Sequence, residues 1–361
     1  VAVTISDLAK HLGLSVSTVS KALNGYSDVA DATREVVLAA SQELNYQPRS
    51  AARTLRLQRT EKLGILHPLK GYESEAFISY FRGVARAAER CGYSLISYAV
   101  GSDPARSLER ICRAREVDAM MVISLGLGGA HPLHAALAVL NAENVPHIVV
   151  GQPVYALDPH PLAADKAVAY VAPDNHAAAR ALTEHLLAAG HTRFGYLSRR
   201  DDTYNDIERQ HAIETTLQHA GKQLEPAYIS DAPYAPYSGH AAMQRLLELP
   251  APPTAVIAFN DHVAIDAIHA AQAQQVRVPD DIAVVGVDDI PSARIITPAL
   301  TTVAIPMRAM GEYAASWLLG QLALPPLARS AVLQKTFATE LVVRSSSCTD
   351  QSGGMYKDDV S

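Results

Sequence analysis

Apolar residues recur at helical spacing twice within the first 25 residues; past residue 62 they form short β-branched runs that alternate with longer helix-period segments. The stretch Thr4-Ile5-Ser6-Asp7-Leu8-Ala9-Lys10-His11-Leu12-Gly13-Leu14-Ser15 predicts a short amphipathic helix and a glycine-centred turn. Val16-Ser17-Thr18-Val19-Ser20-Lys21-Ala22-Leu23 predicts a second helix. Leu8, Leu12, Val19 and Leu23 supply the apolar face that locks the pair. Ser15 is placed to cap the second helix and leave its first-turn side chains outward. A third helix is expected to start behind Asp31 or Thr33 and run over 34–44, closing a three-helix core. This is helix-turn-helix grammar, which sets one helix into a DNA major groove.

Beyond residue 62 the runs 63–69, 93–100, 119–125, 147–152, 194–198, 255–260 and 283–287 read as buried strands. The segments 77–90, 133–141, 175–189, 208–220, 239–247 and 263–274 read as helices between them. Such alternation predicts parallel sheets with crossover helices, and the length accommodates two doubly wound lobes. Ligands of such sheets bind outside the carboxyl ends of the strands, so the cleft between the lobes is the place to look.

Charge separates the two parts. Residues 1–60 hold seven Lys/Arg against five acids, a net +2 in a chain of net −6, so the remainder carries −8. Arg49, Arg53, Arg56 and Arg59 lie on a small-residue segment predicted as a basic helix. A cationic head on an acidic body is expected of a protein that touches phosphates at one end only. Cys91, Cys112 and Cys348 show neither CxxC spacing nor a disulfide framework. With no charged-then-apolar leader and no membrane-length apolar run, they point to a soluble protein in the cytoplasm.

Catalytic and metal motifs are sparse. Gly126-Leu127-Gly128-Gly129-Ala130-His131 only faintly resembles a dinucleotide loop, because His131 stands at the third glycine position; a plain strand-to-helix loop fits better. No GKS/GKT loop, GxSxG elbow or HExxH is present. His131 and His134 offer at most two ligands, so no metal, no cofactor and no enzymatic activity are expected.

The strings Thr-Ile-x-Asp-Leu-Ala, Gly-Leu-Ser-x-x-Thr-Val-Ser-Lys-Ala-Leu-Asn-Gly, Thr-Arg-Glu-x-Val, Leu-Asn-Tyr-x-Pro and Ala-Arg-x-Leu open the chain. Val284-Val285-Gly286-Val287-Asp288-Asp289 and Thr297-Pro298-Ala299-Leu300-Thr301-Thr302-Val303 follow in the body. Together they resemble the lactose-repressor/galactose-repressor (LacI/GalR) family of bacterial transcription regulators, over roughly residues 4–346. The resemblance implies an all-α helix-turn-helix head (1–47) and a hinge helix and linker (48–61). An α/β effector-binding and dimerisation domain (62–346) would follow, then a polar tail (347–361). That domain would be two doubly wound parallel-sheet lobes of periplasmic-binding-protein-like type. The N-lobe would hold about 62–172 and 304–325 and the C-lobe about 173–303 and 326–346, with crossings near Pro173, Val303 and Pro325.

Carried over residue by residue, the resemblance places Phe77, Asn205, Arg209, Tyr234, Asn260 and Asp288 on an effector. Phe77 alternatively packs in the core, and Tyr237 alternatively takes the place of Tyr234. Asn205 and Arg209 lie four apart and share a helix face, where an arginine can fork onto vicinal hydroxyls or a carboxylate. Asp261 is expected to cap the helix after Asn260. Asp289 is expected to be structural, because the family's ligand acid is the first of the pair.

On DNA, Val16 and Ser17 open the recognition helix as base readers, and Lys21 is suited to guanine. Ser6, Thr18, Asn24 and Thr33 suit phosphate contacts. Arg53 would meet phosphate, and Leu55 matches the family's minor-groove wedge, its alternative being packing against the body. The resulting expectation is a cytoplasmic homodimeric repressor on a palindromic operator, controlled by a small polar effector, a sugar first. The alternatives are a nucleobase or organic-acid corepressor, and, from another class, a sugar-binding or enzymatic protein with an incidental head. Arg209-Gln210-His211-Ala212 departs from the family's Arg-x-x-Gly and leaves the effector open. The tail lacks a leucine heptad, which favours a dimer over a coiled-coil tetramer.

Overall fold

The computed structural model describes residues 3–23, 25–46, 59–68, 74–101, 103–123, 130–151, 168–199, 203–233, 237–325, 328 and 333–348. It divides into two compact units, Val1–Glu61 and Lys62–Ser361.

The head is three helices, α1 (Ile5–Leu12), α2 (Val16–Leu23) and α3 (Asp31–Glu43). A reciprocal capping box joins Thr4 and Asp7 at the start of α1, and Gly13, at φ 65°, ends it in the left-handed conformation. Ser15 accepts from the Thr18 amide at 3.0 Å, so the expected cap of α2 is present. Leu8, Val19 and Val37 are fully buried at the centre, while Leu12 and Leu23 only flank it. The third helix begins at Asp31, earlier than the expected 34. Asp31 sits inside its first turn, where a negative charge meets the helix dipole and pairs with Arg34 at 3.1 Å.

The second unit contains two six-stranded sheets. The first is built from β1 (Lys62–Pro68), β2 (Ser94–Val100), β3 (Ala119–Ile123), β4 (His147–Val150), β5 (Tyr170–Pro173) and β11 (Gln334–Phe337), in the order β11-β5-β4-β3-β1-β2. The second holds β6 (Phe194–Ser198), β7 (Ile229–Asp231), β8 (Ala255–Ala258), β9 (Ala283–Asp288), β10 (Thr301–Ala304) and β12 (Glu340–Val342), in the order β12-β10-β9-β8-β6-β7. Every pair is parallel except β10 with β12. The central strands β3, β6 and β8 are buried at every residue, as continuous apolar runs require when helices cover both faces.

Helices α4 (Glu75–Arg90), α5 (Pro104–Arg113), α6 (Ala130–Ala142) and α12 (Met307–Ala323) clothe the first sheet. Around the second lie α7 (Asn175–Ala188), α8 (Thr203–His219), α9 (Ser238–Leu247), α10 (Asp261–Ala273) and the short α11 (Pro291–Ile295). α4 and α12 touch backbone to backbone: a Cβ on Gly83 would stand 2.0 Å from the Arg308 carbonyl oxygen, and one on Gly311 would stand 2.4 Å from that of Tyr80. The chain passes between sheets after β5 and after β10. The third passage corrects the sequence reading. After α12 the chain returns to the first sheet, pairing Gln334 with Tyr170, and crosses only between Phe337 and Glu340. Pro325 ends the helix without redirecting the chain to the other lobe, so 334–337 belong to the first lobe.

Candidate functional site

In the head, the N-terminus of α2 presents Val16, 43% exposed, and an exposed Ser17. Ser6 is exposed, whereas Thr18 and Thr33 are half-buried. The Thr18 hydroxyl already shares a hydrogen bond with Ser15 at 2.8 Å. Lys21 is exposed but turned onto Asp28, 2.5 Å away; that partner raises the lysine pKa and lowers the acid's. Asn24, Arg53 and Leu55 lie outside the described residues.

The polar groups of the second unit gather at the carboxyl ends of the second sheet. Arg209, on α8, is buried at 5% exposure. It donates from Nε to Asn175 Oδ1 at 3.0 Å and from Nη1 to the Phe259 carbonyl at 2.5 Å, and its guanidinium stacks 4.6 Å from the centre of the Phe259 ring. Nη2 takes no partner among the described residues. Asn205, one turn earlier on α8, accepts from Asn175 Nδ2 at 2.7 Å. The expected Asn205/Arg209 face therefore exists, bridged by a residue the sequence reading did not single out. Arg199, at the exit of β6, is also buried and approaches the Phe259 ring at 5.4 Å. Its segment is anchored by Asp206, which accepts from Tyr196, Ser198 and the Arg199 amide at 2.8–2.9 Å.

The cap expected of Asp261 is supplied by Asn260. Asn260 is the N-cap of α10, accepting from the Val263 amide at 3.0 Å. Asp261 instead lies fully buried, bonded to Thr302 Oγ1 at 2.5 Å and accepting from the Ile290 amide at 3.0 Å. The difference has a local cause: Asn260 keeps the extended backbone of the strand end, φ −148°, which a cap needs, and Asp261 already turns inward as the first helical residue. Burial, followed by the charge of Asp288, pushes Asp261 up to about 8.

Asp288 ends β9 half-buried, with φ 125°, a conformation that L side chains rarely adopt. Asp289 is structural: its two oxygens bind Arg344, at 2.5 Å, and Arg294, at 2.7 Å. From the first lobe, Phe77 on α4 is half-buried and tilted against His67, ring centres 5.2 Å apart. His67, the penultimate residue of β1, is bonded to Ser97 Oγ at 2.7 Å. Glu75, at the start of α4, reaches the other lobe, accepting from the Ser292 amide at 3.2 Å and from its hydroxyl. Tyr234 lies outside the described residues. Tyr237, its alternative, is 77% exposed at the head of α9. Among the described residues no three metal-ligating side chains converge.

Arg199, His67 and Ser292 escaped the sequence reading. Ser292, within α11, carries no strand-end signal, whereas Arg199 and His67 each stand next to the carboxyl end of a strand. The rule that selected Asn260 and Asp288 would have found Arg199 and His67 had it been applied to every strand.

A helix-turn-helix head followed by a two-lobed body with buried polar groups at the strand ends defines an effector-binding regulator of transcription. Residues 4–49 match the bacterial regulatory proteins of the lacI family, and 183–347 match the periplasmic binding protein-like domain. The HTH-type transcriptional repressor PurR of Proteus mirabilis is 31% identical over 327 residues, covering 88% of this chain and 90% of the relative. The chain belongs to the LacI family, whose members are DNA-binding regulators rather than enzymes. A solved complex of the transcriptional regulator CelR with cellobiose is 27% identical, with 95% and 99% coverage and a TM-score of 0.70. The lac repressor dimer bound to operator and an anti-inducer shares the fold, with a TM-score of 0.80 at 24% identity over 97% of this chain and 100% of that one.

Proposed function

We propose that this regulator is a cytoplasmic homodimeric repressor of a palindromic operator, and that a hydroxyl-rich small molecule, a sugar, occupies its cleft and sets its DNA affinity. The observation that carries the effector reading is Arg209: a buried guanidinium at the strand ends, held by Asn175 and the Phe259 carbonyl, with Nη2 left over for a ligand. Nη2 carries two N–H donors, which suit the oxygens of vicinal hydroxyls. Asn205, Asn260 and Asp288 would complete the polar side, and Phe77 with Tyr234 the aromatic side. CelR, solved with cellobiose, supports a carbohydrate, and the lac repressor, solved as a dimer on its operator, supports the assembly.

In the head, Val16, Ser17 and Lys21 would meet base edges, while Ser6, Thr18, Asn24, Thr33 and Arg53 would meet phosphates. Leu55 would wedge the minor groove from a hinge over 48–61. Effector control needs only that the ligand prefer one lobe arrangement over the other. A carboxylate-bearing effector is a second reading, favoured by the same guanidinium.

The test is selection of bound genomic fragments by the purified protein, followed by gel shift of the selected palindrome with neutral sugars, sugar acids and nucleobases. A shift relieved or strengthened by a neutral sugar supports the reading. A response confined to acids or nucleobases moves it to a corepressor, and no response to any of the three classes removes the cleft from control.

A further inference from the structure

Asn175 stands where the chain leaves the first sheet for the second. It is the first residue of α7, two beyond the end of β5, and is 1% exposed. The preceding residue, Asp174, donates its amide to the carbonyl of Phe337, the last residue of β11 before the third passage between lobes, at 3.0 Å. Two of the three interlobe passages are thus tied together beside Asn175. Its side chain is spent on the polar cluster of the second lobe, the lobe that α7 itself enters: Oδ1 accepts from Arg209 Nε, and Nδ2 donates to Asn205 Oδ1. A buried primary amide with both ends satisfied in this way is rigid, because losing either bond strands a desolvated group.

We infer that Asn175 is the positioning residue for Arg209, fixing its guanidinium and joining it to the interlobe passage so that a movement of Arg209 is felt at β5. This rests on the reading of Arg209 as an effector ligand only for its purpose; the mechanical link stands on the three side chains themselves. It gives a side chain of the cleft a direct contact with the segment that joins the two lobes, as linkage between a cleft and a distant hinge requires.

The experiment uses the full-length protein without ligand and reads two signals. The Arg209 Nε–H resonance, assigned by its loss in Arg209→Lys, should exchange with solvent about tenfold faster in Asn175→Ala, as expected for one buried hydrogen bond lost. Asn175→Asp, which keeps an acceptor, should restore the protection. Hydrogen exchange of the peptide covering 168–174 should accelerate in Arg209→Lys but gain nothing further from that substitution in the Asn175→Ala background. Unchanged Arg209 exchange in Asn175→Ala, or equal effects of Arg209→Lys in both backgrounds, overturns the inference. Failure of the effector reading would appear elsewhere, as Arg209→Ala protein whose gel shift still responds to the small molecule.

Discussion

Thr302 Oγ1 and Asp261 Oδ1 lie 2.5 Å apart in a fully buried hydrogen bond beside β9. Asp261 is pushed up to about 8 by burial and then by Asp288. A folded-state pKa above the unfolded value means that the folded state holds the extra proton. The resulting stabilisation is fully present below about 4, the ordinary carboxylate value, and is lost as pH rises through about 8. The loss has a limiting slope of about 1.4 kcal/mol per pH unit for one proton. Asp261→Asn, whose amide mimics the protonated acid, should flatten that decline. Urea unfolding of both proteins at mildly acidic and mildly alkaline pH checks it; parallel pH profiles would show that Asp261 titrates normally.

Of the adjacent pair, Asp289 serves the fold, and Asp288 is the one proposed for the effector. Asp289 bridges Arg344, whose side chain is only 14% exposed, so Asp289→Ala leaves a nearly buried guanidinium unpaired and should cost about 3 kcal/mol in unfolding free energy. Asp288→Gly should do the reverse. Removing a side chain held at φ 125° relieves backbone strain of roughly 1 kcal/mol, and the effector response is lost with the carboxylate. Chemical denaturation and effector titration on the same two variants measure both quantities. A destabilised Asp288→Gly that still responds would make Asp288 a structural residue.

These assignments show what the sequence made legible. Strands with four to six apolar residues in a row and long helices at 3.6 spacing stood out, as did Asn205 with Arg209, because their spacing of four is itself geometric information. Asn175 was invisible by the same logic: its partners lie 30 and 34 residues away, and only the folded passage from β5 to α7 brings them together. The edge strand β11 carries exposed Gln334, Lys335 and Thr336, so it lacks the apolar signal that marked the central strands. Asn260 and Asp261 are both competent caps, and choosing between them requires the backbone angle at the strand end.

Glu75 and Ser292 join the two lobes by two hydrogen bonds to one carboxylate. This clasp draws the lobes together, and Glu75→Ala should populate a more open arrangement. Small-angle scattering of the ligand-free protein would register it as a larger radius of gyration, which a saturating effector would reduce. An unchanged scattering profile would mean that the clasp follows closure without helping to hold it.

Lys21 pairs with Asp28 in the head, and their side chains are 45% and 53% exposed. A pair this open contributes little to folding, so its effect is on DNA, where Asp28 competes with phosphate or base for the ammonium. Asp28→Asn should raise affinity for duplex DNA and steepen its dependence on salt, by about 0.9 in the logarithmic slope if Lys21 gains one phosphate. Lys21→Ala should weaken binding, and the slope identifies the target. A loss shared by specific and random duplex with a shallower slope marks a phosphate contact, whereas a loss confined to the selected palindrome marks a base contact. If neither substitution changes affinity, Lys21 stays on Asp28 in the complex and the reading of this lysine as a DNA contact fails.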